Sequence, residues 1–438
     1  MQKSPKVYKL SIFTSVLPVS EGHWIVYNSF TDKFMVVRRC GELNARQLPD
    51  IPELRENLIA AGAIVKDNVD ENLMLRERLN SITDNDRCFQ LHVNPTLGCN
   101  FRCWYCYEQH DGMPMMDNVT LQALFRLVEN KLGEMNDLKE LSLSFFGGEP
   151  LLGYDRIVRP LIEFCSGECS SRGIELRVHF TTNGFLLNPA RVEYLARYKA
   201  SFQITLDGDR HTHDTVRFTS GGKGSYDMIM RNITKLAEAG CHVIMRINYT
   251  AANLASVRRI PDDMRSMAEE SRKNIRVDLQ RVWQDSSGAG DELAGEIESL
   301  ADRFTECGLA VSDHALWNNS LSPCYADYRH QMLINYNGDV FKCTARDFSE
   351  ANSLGHLTPS GEIKWKKNMP EDYLTLKLSR PGCRECRIAP LCGSGCCQKN
   401  RETPADCGCM LGYTEQAKDE RILKRFERAF VVPASVAR

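Results

Sequence analysis

The chain reads as an α/β protein: a parallel sheet with outer helices, preceded by a β-rich segment and followed by a cysteine-rich one. Three observations carry this. From about residue 87 to 285, short apolar runs alternate with stretches of helical spacing, the pattern of repeated strand–helix units. Residues 1–86 hold short alternating runs set close together, and residues 319–414 carry cysteines at short spacings. With 438 residues and 42% hydrophobic content, the chain has room for two or three domains.

Taken in order, Val7–Phe13, Trp24–Asn28 and Lys33–Arg38 read as strands, with a hairpin turn at Asn28–Lys33. Pro52–Ala61 has helical spacing, and Gly62–Val65 restarts a strand. Six strands are predicted near 88–94, 141–147, 174–181, 202–206, 242–249 and 275–283, with helices between them such as Asp117–Met135 and Tyr226–Ala239. Residues 286–318 read as a turn at Ser286–Gly290 and a bridging helix. Thr414–Phe430 is a charged amphipathic helix, so that 415–438 forms a closing helix and tail.

Composition narrows the function. A net charge of −2 argues against a nucleic-acid surface. The start, Met1–Leu10, lacks an apolar signal core, and no apolar run of 18 residues occurs. Eighteen cysteines without an export signal point to metal clusters rather than disulfides, hence to a reducing cytoplasm.

Cys99, Cys103 and Cys106 stand in a C-x3-C-x2-C triplet just past the first predicted barrel strand. Three thiolates within eight residues suit three irons of a 4Fe–4S cube and leave the fourth iron open. Zinc is the bland alternative, but it prefers four ligands and two hooks. The aromatic pair Trp104-Tyr105 suits shielding a cluster from water. Fifty residues on, an apolar strand ends in Gly147-Gly148-Glu149-Pro150, where two glycines permit close approach to the backbone.

The triplet, with an aromatic before its last cysteine, together with the Gly-Gly-Glu-Pro segment resembles the signature of the radical S-adenosylmethionine (SAM) enzymes. The resemblance implies a partial (β/α)6 barrel and a SAM-binding cluster on Cys99, Cys103 and Cys106. It implies SAM contacts from Gly147, Gly148, Glu149 and Pro150, and from strand ends carrying Thr182, Asn183, Gln203, Arg246 and Asn248. Asp207, at a Leu-Asp-Gly turn, is a candidate for accepting a proton or orienting substrate. His211, His213 and Arg217 read as a polar rim without assigned chemistry.

The second cysteine field holds Cys324, Gly338-x4-Cys343, Cys383-x2-Cys386-x5-Cys392-x3-Cys396, Cys407 and Cys409. Taken alone, zinc ribbons compete for it. The whole pattern resembles the SPASM extension of radical SAM peptide maturases. Carried over, one auxiliary 4Fe–4S cluster would use Cys324, Cys343 and Cys396, its fourth ligand open or supplied by His330 or Cys397. A second would use Cys383, Cys386, Cys392 and Cys409, with Cys409 preferred to Cys407 because it precedes the closing helix. Cysteines 40, 88, 165, 169, 241 and 307 read as small buried apolar residues.

Residues 1–86 resemble the winged-helix-like peptide-recognition elements of peptide-modifying enzymes, or else form a cap on the barrel. The resemblance implies a maturase that crosslinks a ribosomally made precursor peptide bearing a leader, through a carbon–carbon, carbon–oxygen or thioether bond. Its electron would come from a reductase such as flavodoxin or ferredoxin. An anaerobic sulfatase maturase is the alternative. That family starts close to its triplet and has Asp after the G-x4-C cysteine, where this chain has Thr344. A non-catalytic peptide carrier or electron-transfer partner is the third reading, opposed by the complete triplet and Gly-Gly-Glu-Pro.

Overall fold

The computed structural model describes residues 8–39, 41–108, 110, 112–282, 284–285, 293–312, 323–366, 377–404 and 408–430. Val7, Cys40, the Ser286–Gly290 turn and Cys407 lie outside the described residues. The chain divides into two compact units, one of residues 1–85, 313–329 and 370–438, the other of 86–312 and 330–369.

In the first unit, β1 (Tyr8–Leu10), β2 (Thr14–Ser20), β3 (His23–Asn28), β4 (Lys33–Arg38) and β5 (Ile64–Lys66) form two small sheets. One is the antiparallel meander β2-β3-β4, the other the pair β1-β5. Asp32, at φ +57°, makes the tight turn from β3 to β4. Helices at Arg55–Ala60 and Glu71–Thr83 follow, the second capped by Asp70 through the Leu73 N–H. Leu17, Ile25 and Tyr27 pack with Ile388, Leu391 and Ile422, so the N-terminal strands share a core with the chain's end. The closing helix is Glu415–Phe430.

The second unit is built on the six predicted strands: β6 (Cys88–Val93), β7 (Glu140–Phe145), β8 (Glu175–Thr182), β9 (Ser201–Leu206), β10 (Val243–Tyr249) and β11 (Ile275–Arg281). All neighbours among them pair in parallel. The short β12 (Ala310–Val311) extends one edge. On the other edge β13 (Gln331–Ile334) pairs in parallel with β6, and β14 (Asp339–Phe341), β15 (Gly355–Leu357) and β16 (Ile363–Trp365) continue antiparallel. Among the described residues the sheet thus has eleven strands. The sequence reading contains only six of these, because β12 to β16 are too short to show a period.

Alternation along each strand sorts the two faces. Phe89, Leu91, Val93, Leu141, Leu143, Phe145, Phe202 and Ile204 are wholly buried in one core. Phe145, Phe180 and Phe202 stack at 5.0 and 5.3 Å across three strands in register. The opposite face is polar: Gln90, His92, Ser142, Ser144, His179, Thr181, Gln203, Arg246 and Asn248 occupy the intervening positions. Helices fill the connections, as at Asn118–Glu134, Arg159–Arg172 and Tyr226–Glu238. No described helix is long and apolar enough to cross a membrane.

Candidate functional site

The cysteine loop leaves β6 at Val93 and is laced to its neighbours before the first thiol. Thr96 Oγ1 accepts the Gly98 N–H at 2.9 Å. Phe146 N–H, at the end of β7, donates to Val93 O at 2.9 Å. Gly148 N–H then reaches Thr96 O at 3.2 Å, and Glu149 N–H reaches Gly98 O at 2.9 Å. A Cβ on Gly147 (φ +100°) would press on Thr96 O, and one on Gly148 on Gly98 O. The glycines are therefore needed for the two loops to interlock, whatever else approaches them.

The three thiols of that loop lie close enough to feel one another's charge. Cys99 is buried, Cys103 half-buried and Cys106 exposed. Burial, with the Glu149 charge adding to it, pushes the Cys99 thiol up to about 12. Cys106 is exposed as a residue, yet protein packed around its sulfur takes the thiol up to about 11. His110, absent from the sequence reading, places Nε2 3.3 Å from Cys106 Sγ while Nδ1 faces Leu97 O at 2.8 Å. Asn183 Nδ2 donates to Asn100 Oδ1 at 2.8 Å and lies 4.0 Å from Cys99 Sγ.

Two buried polar atoms of this loop, Asn100 Nδ2 and Glu108 Oε2, make no hydrogen bond. Three thiols on one loop, flanked by unpaired polar atoms, fit a bound group that takes three protein ligands. Among the described residues no three His, Cys, Asp or Glu side chains close on a single metal ion. A cube, with one iron per thiolate, asks for sulfurs set wider apart.

The strand-end residues gather around this loop. Glu149 is fully buried; Oε1 accepts from Thr182 Oγ1 at 2.7 Å and Leu151 N at 3.0 Å, and Oε2 from Asn183 N at 2.8 Å. Its side chain therefore braces the ends of β7 and β8 together, and burial raises its carboxyl. Pro150 opens the short helix Pro150–Gly153. Arg246 Nε donates to Asn248 Oδ1 at 3.0 Å at the end of β10. Gln203 lies deeper, in register with Thr181 and Ile244 on the polar face. Burial holds His92 and His179 of that face neutral, down to about 3 and about 4.

Asp207 is 1% exposed, and both its oxygens are committed. Tyr105 O–H faces Oδ1 at 2.8 Å and Oδ2 at 2.7 Å, and Arg217 Nε pairs with Oδ2. The expected polar rim is not one: His211 is exposed, but His213 and Arg217 are buried, at 0% and 8% exposure. Their position on the helix Arg210–Val216 and just past it turns them inward, onto Asp207.

In the first unit, Cys383, Cys386, Cys392 and Cys409 form a second group of mutually close thiols. Burial pushes Cys392 up to about 11, the neighbouring thiols adding to it. Ser394 Oγ donates to Cys383 Sγ at 3.2 Å. Cys396 caps the helix Cys397–Glu402, its sulfur accepting from Lys399 N at 3.4 Å. The Cys324 N–H donates to Asp327 Oδ2 at 2.7 Å, and Lys377 Nζ meets the same oxygen at 2.6 Å. Cys397 is buried beside Asp327 and Cys396.

Cys343 stands in the second unit, after the β13–β14 hairpin whose turn requires Gly338 at φ +85°. His330, also there, holds Asp86 Oδ1 through Nε2 at 2.5 Å. Cys165, Cys169, Cys241 and Cys307 are buried as expected. Cys88 is half-buried, with its thiol 3.6 Å from Glu140 Oε1.

Comparison with known proteins agrees with this geometry. The Radical SAM superfamily description matches residues 93–258. The radical SAM cyclopropyl synthase TigE of Paramaledivibacter caminithermalis is 25% identical over 384 residues, 80% of this chain and 76% of that one. A cysteine-type anaerobic sulfatase-maturating enzyme of Clostridium novyi is 24% identical over 335 residues, 69% of this chain and 86% of that one. In fold, Streptococcus suis SuiB bound to precursor peptide SuiA matches with a TM-score of 0.52 at 15% identity, over 92% of this chain and 99% of that one. The triplet loop and its interlocked Gly-Gly-Glu-Pro segment both fall within the matched residues, so the protein carries a radical SAM domain over 93–258.

Proposed function

We propose that the protein is a maturase of a ribosomally made precursor peptide and crosslinks it through a carbon–carbon, carbon–oxygen or thioether bond. One observation carries the peptide reading. In the first unit a groove of about 800 Å³ runs beside β4, lined by Asp32–Met35, Asn57, Ala60 and Ala61, and by Arg425 and Phe430 of the closing helix. Among the described strands β4 pairs only with β3, so its outer edge is available to an added strand. Phe34, which stacks on Tyr27 at 4.2 Å, meets Phe426 and Phe430 there and offers apolar side chains a floor. A leader segment in this groove would hold the peptide's core by effective concentration.

When bound, SAM and its cluster supply a 5′-deoxyadenosyl radical that takes hydrogen from an unactivated carbon. Cys99, Cys103 and Cys106 would hold the cluster. The backbone of Gly147 to Pro150, with Thr182, Asn183, Gln203, Arg246 and Asn248, would hold SAM. Since the Glu149 carboxylate is spent on the brace, its share in binding falls to the main chain.

Auxiliary clusters on Cys324, Cys343 and Cys396, and on Cys383, Cys386, Cys392 and Cys409, would bring the total to about twelve irons per chain. His330 or Cys397 would close the first of these clusters for an electron-carrying role, with electrons supplied by a reductase such as flavodoxin or ferredoxin in the cytoplasm; Asp86 engages the one and Asp327 the other. The Clostridium novyi relative keeps formylglycine formation as a second reading; Thr344, where sulfatase maturases have Asp, counts against it.

The test is an anaerobic assay with SAM, reductant and precursor peptide, read by mass spectrometry. The expected product has lost two hydrogens, and the rate falls when the leader is removed. Because residues 1–85 share a core with the chain's end, deleting them would damage more than recognition. Phe430→Asp, on a side chain 63% exposed, is the cleaner variant. It should raise the KM for leader-bearing peptide about tenfold, about 1.4 kcal/mol, and spare SAM cleavage. Equal rates with and without leader would end the recognition role.

A further inference from the structure

The aromatic residue inside the triplet is tied into a buried charge pair. Tyr105 stands between Cys103 and Cys106. Its hydroxyl faces both Asp207 oxygens, at 2.8 and 2.7 Å, and accepts from Arg217 Nη2 at 2.6 Å and Asn248 Nδ2 at 3.1 Å. The Arg217 guanidinium lies 5.7 Å from the Tyr105 ring centre, while Nε pairs with Asp207 Oδ2. Gln284 Nε2 fixes the Tyr105 carbonyl at 2.8 Å.

The pair is held from behind as well. Asp207 N–H donates to His213 Nδ1 at 3.3 Å, which leaves the ring proton on Nε2, 3.0 Å from Ser225 Oγ. Ser225 Oγ in turn donates to Arg217 O at 2.6 Å. Asn253 Nδ2 donates to Asp207 O at 3.1 Å.

A buried ion pair is a poor device for stability, because desolvation offsets most of its attraction. Charges fixed away from water next to a metal ligand do have a direct effect on that metal. We propose that Arg217 and Asp207 are opposed positioning charges that set the reduction potential of the cluster held by Cys99, Cys103 and Cys106, with Tyr105 fixing them to the cysteine loop. The inference rests on the triplet's cluster and goes beyond it to the residues that tune it.

Tyr105, whose hydroxyl meets both charges, stands next to Cys106 and two residues from Cys103. Reduction adds one negative charge to the cluster. The guanidinium therefore raises the potential and the carboxylate lowers it, and in a water-poor site neither is well screened. Asp207 is then not a base: it is a counter-charge that acts through Arg217 and Tyr105.

The experiment is a redox titration of the anaerobically reconstituted holoenzyme, following the reduced-cluster EPR signal that changes on adding SAM. Arg217→Gln should lower the reduced-to-oxidised ratio at fixed poise about tenfold, a shift of about 59 mV for one electron. Asp207→Asn should shift it in the opposite direction, and the double variant should return near wild type. Arg217→Lys, which keeps the charge, should stay near wild type. Iron content should be unchanged throughout.

Shifts of the same sign in the two single variants, or none with iron intact, would overturn the proposal. So would loss of the cluster from both, which would make the pair merely structural. A wild-type protein whose signal is indifferent to SAM would overturn the cluster assignment itself, a separate result.

Discussion

The two groups of cysteines differ in what organises them. The triplet sits on a loop fastened by other parts of the sheet: by Gly148 and Glu149 at the end of β7, by Asn183 after β8, and by Asp207 and Asn248 through Tyr105. Cys383, Cys386, Cys392 and Cys409 lie on short helices such as Pro381–Arg384 and Ala389–Cys392 and the turns between them. There the bonds to sulfur come from Ser394, at Cys396 from Lys399, and at Cys386 from Lys418 of the closing helix. The sheet builds the first site; the second packs Ile388 and Leu391 against the N-terminal strands, and a metal bound there, as proposed above, would add to that packing.

The sharpest break of that contrast is to remove each group in turn. Replacing Cys99, Cys103 and Cys106 by Ala should delete about four irons and all SAM cleavage while leaving the barrel folded. 5′-Deoxyadenosine from the triple variant would refute the assignment. Replacing Cys383, Cys386, Cys392 and Cys409 should also delete about four irons, but should spare SAM cleavage. In its place goes order: trypsin should cut between Arg380 and Arg401, as it should in wild type stripped of iron by a chelator, while 86–312 resists. An uncut 377–404 segment in the iron-free protein would show that local packing suffices there.

Much of the first site was legible, for a physical reason. β4 is observed at the predicted Lys33–Arg38, and β6 to β11 lie within two residues of their predicted ends, because six to eight residues with one buried face leave a clear alternation. β14, β15 and β16, three residues each, have no period to read. The cysteine spacings announce themselves because all ligands of a hook are local in sequence. Tyr105 meets Asp207, Arg217 and Asn248 across 102, 112 and 143 residues, and no spacing rule reaches so far. Hence Arg217 reads as an exposed cation and is in fact buried. Glu149 was legible as part of a motif, but that its carboxylate is a brace follows only from the strand ends it joins.

That brace gives a smaller, sharper test of the sheet-built site. Glu149→Gln exchanges a fully buried carboxylate with three donors for an amide that accepts through one oxygen and brings two unwanted donors. Hydrogen bonds to a charged group are worth about 1.5–3 kcal/mol each when lost. The apo-protein's unfolding transition for residues 86–312 should therefore drop by about 2 kcal/mol. Thr182→Val, which removes one donor and keeps the shape, should cost about half as much. An unchanged transition in both would mean that the interlock of the glycine loop alone holds the site.

The smallest effect belongs to the second cysteine group. Ser394, 3% exposed, sits in the tight Gly393–Gly395 turn at φ +62° and donates its hydroxyl to Cys383 Sγ. A donor to a thiolate disperses its charge, and hydrogen bonds to sulfur raise a cluster's potential. Ser394→Ala leaves the thiolate in place, so iron content should not change. The second auxiliary cluster should become harder to reduce, by the equivalent of one neutral hydrogen bond, about 0.5–1.5 kcal/mol. A redox titration of the protein lacking the Cys99–Cys103–Cys106 ligands isolates that signal from the SAM-binding cluster. If Ser394→Ala instead sheds iron, the hydroxyl is part of what folds the segment, and the contrast between the two sites narrows. If neither potential nor iron changes, the Ser394 hydroxyl does not donate to Cys383 once metal is bound, and the contrast between the two sites rests on their packing alone.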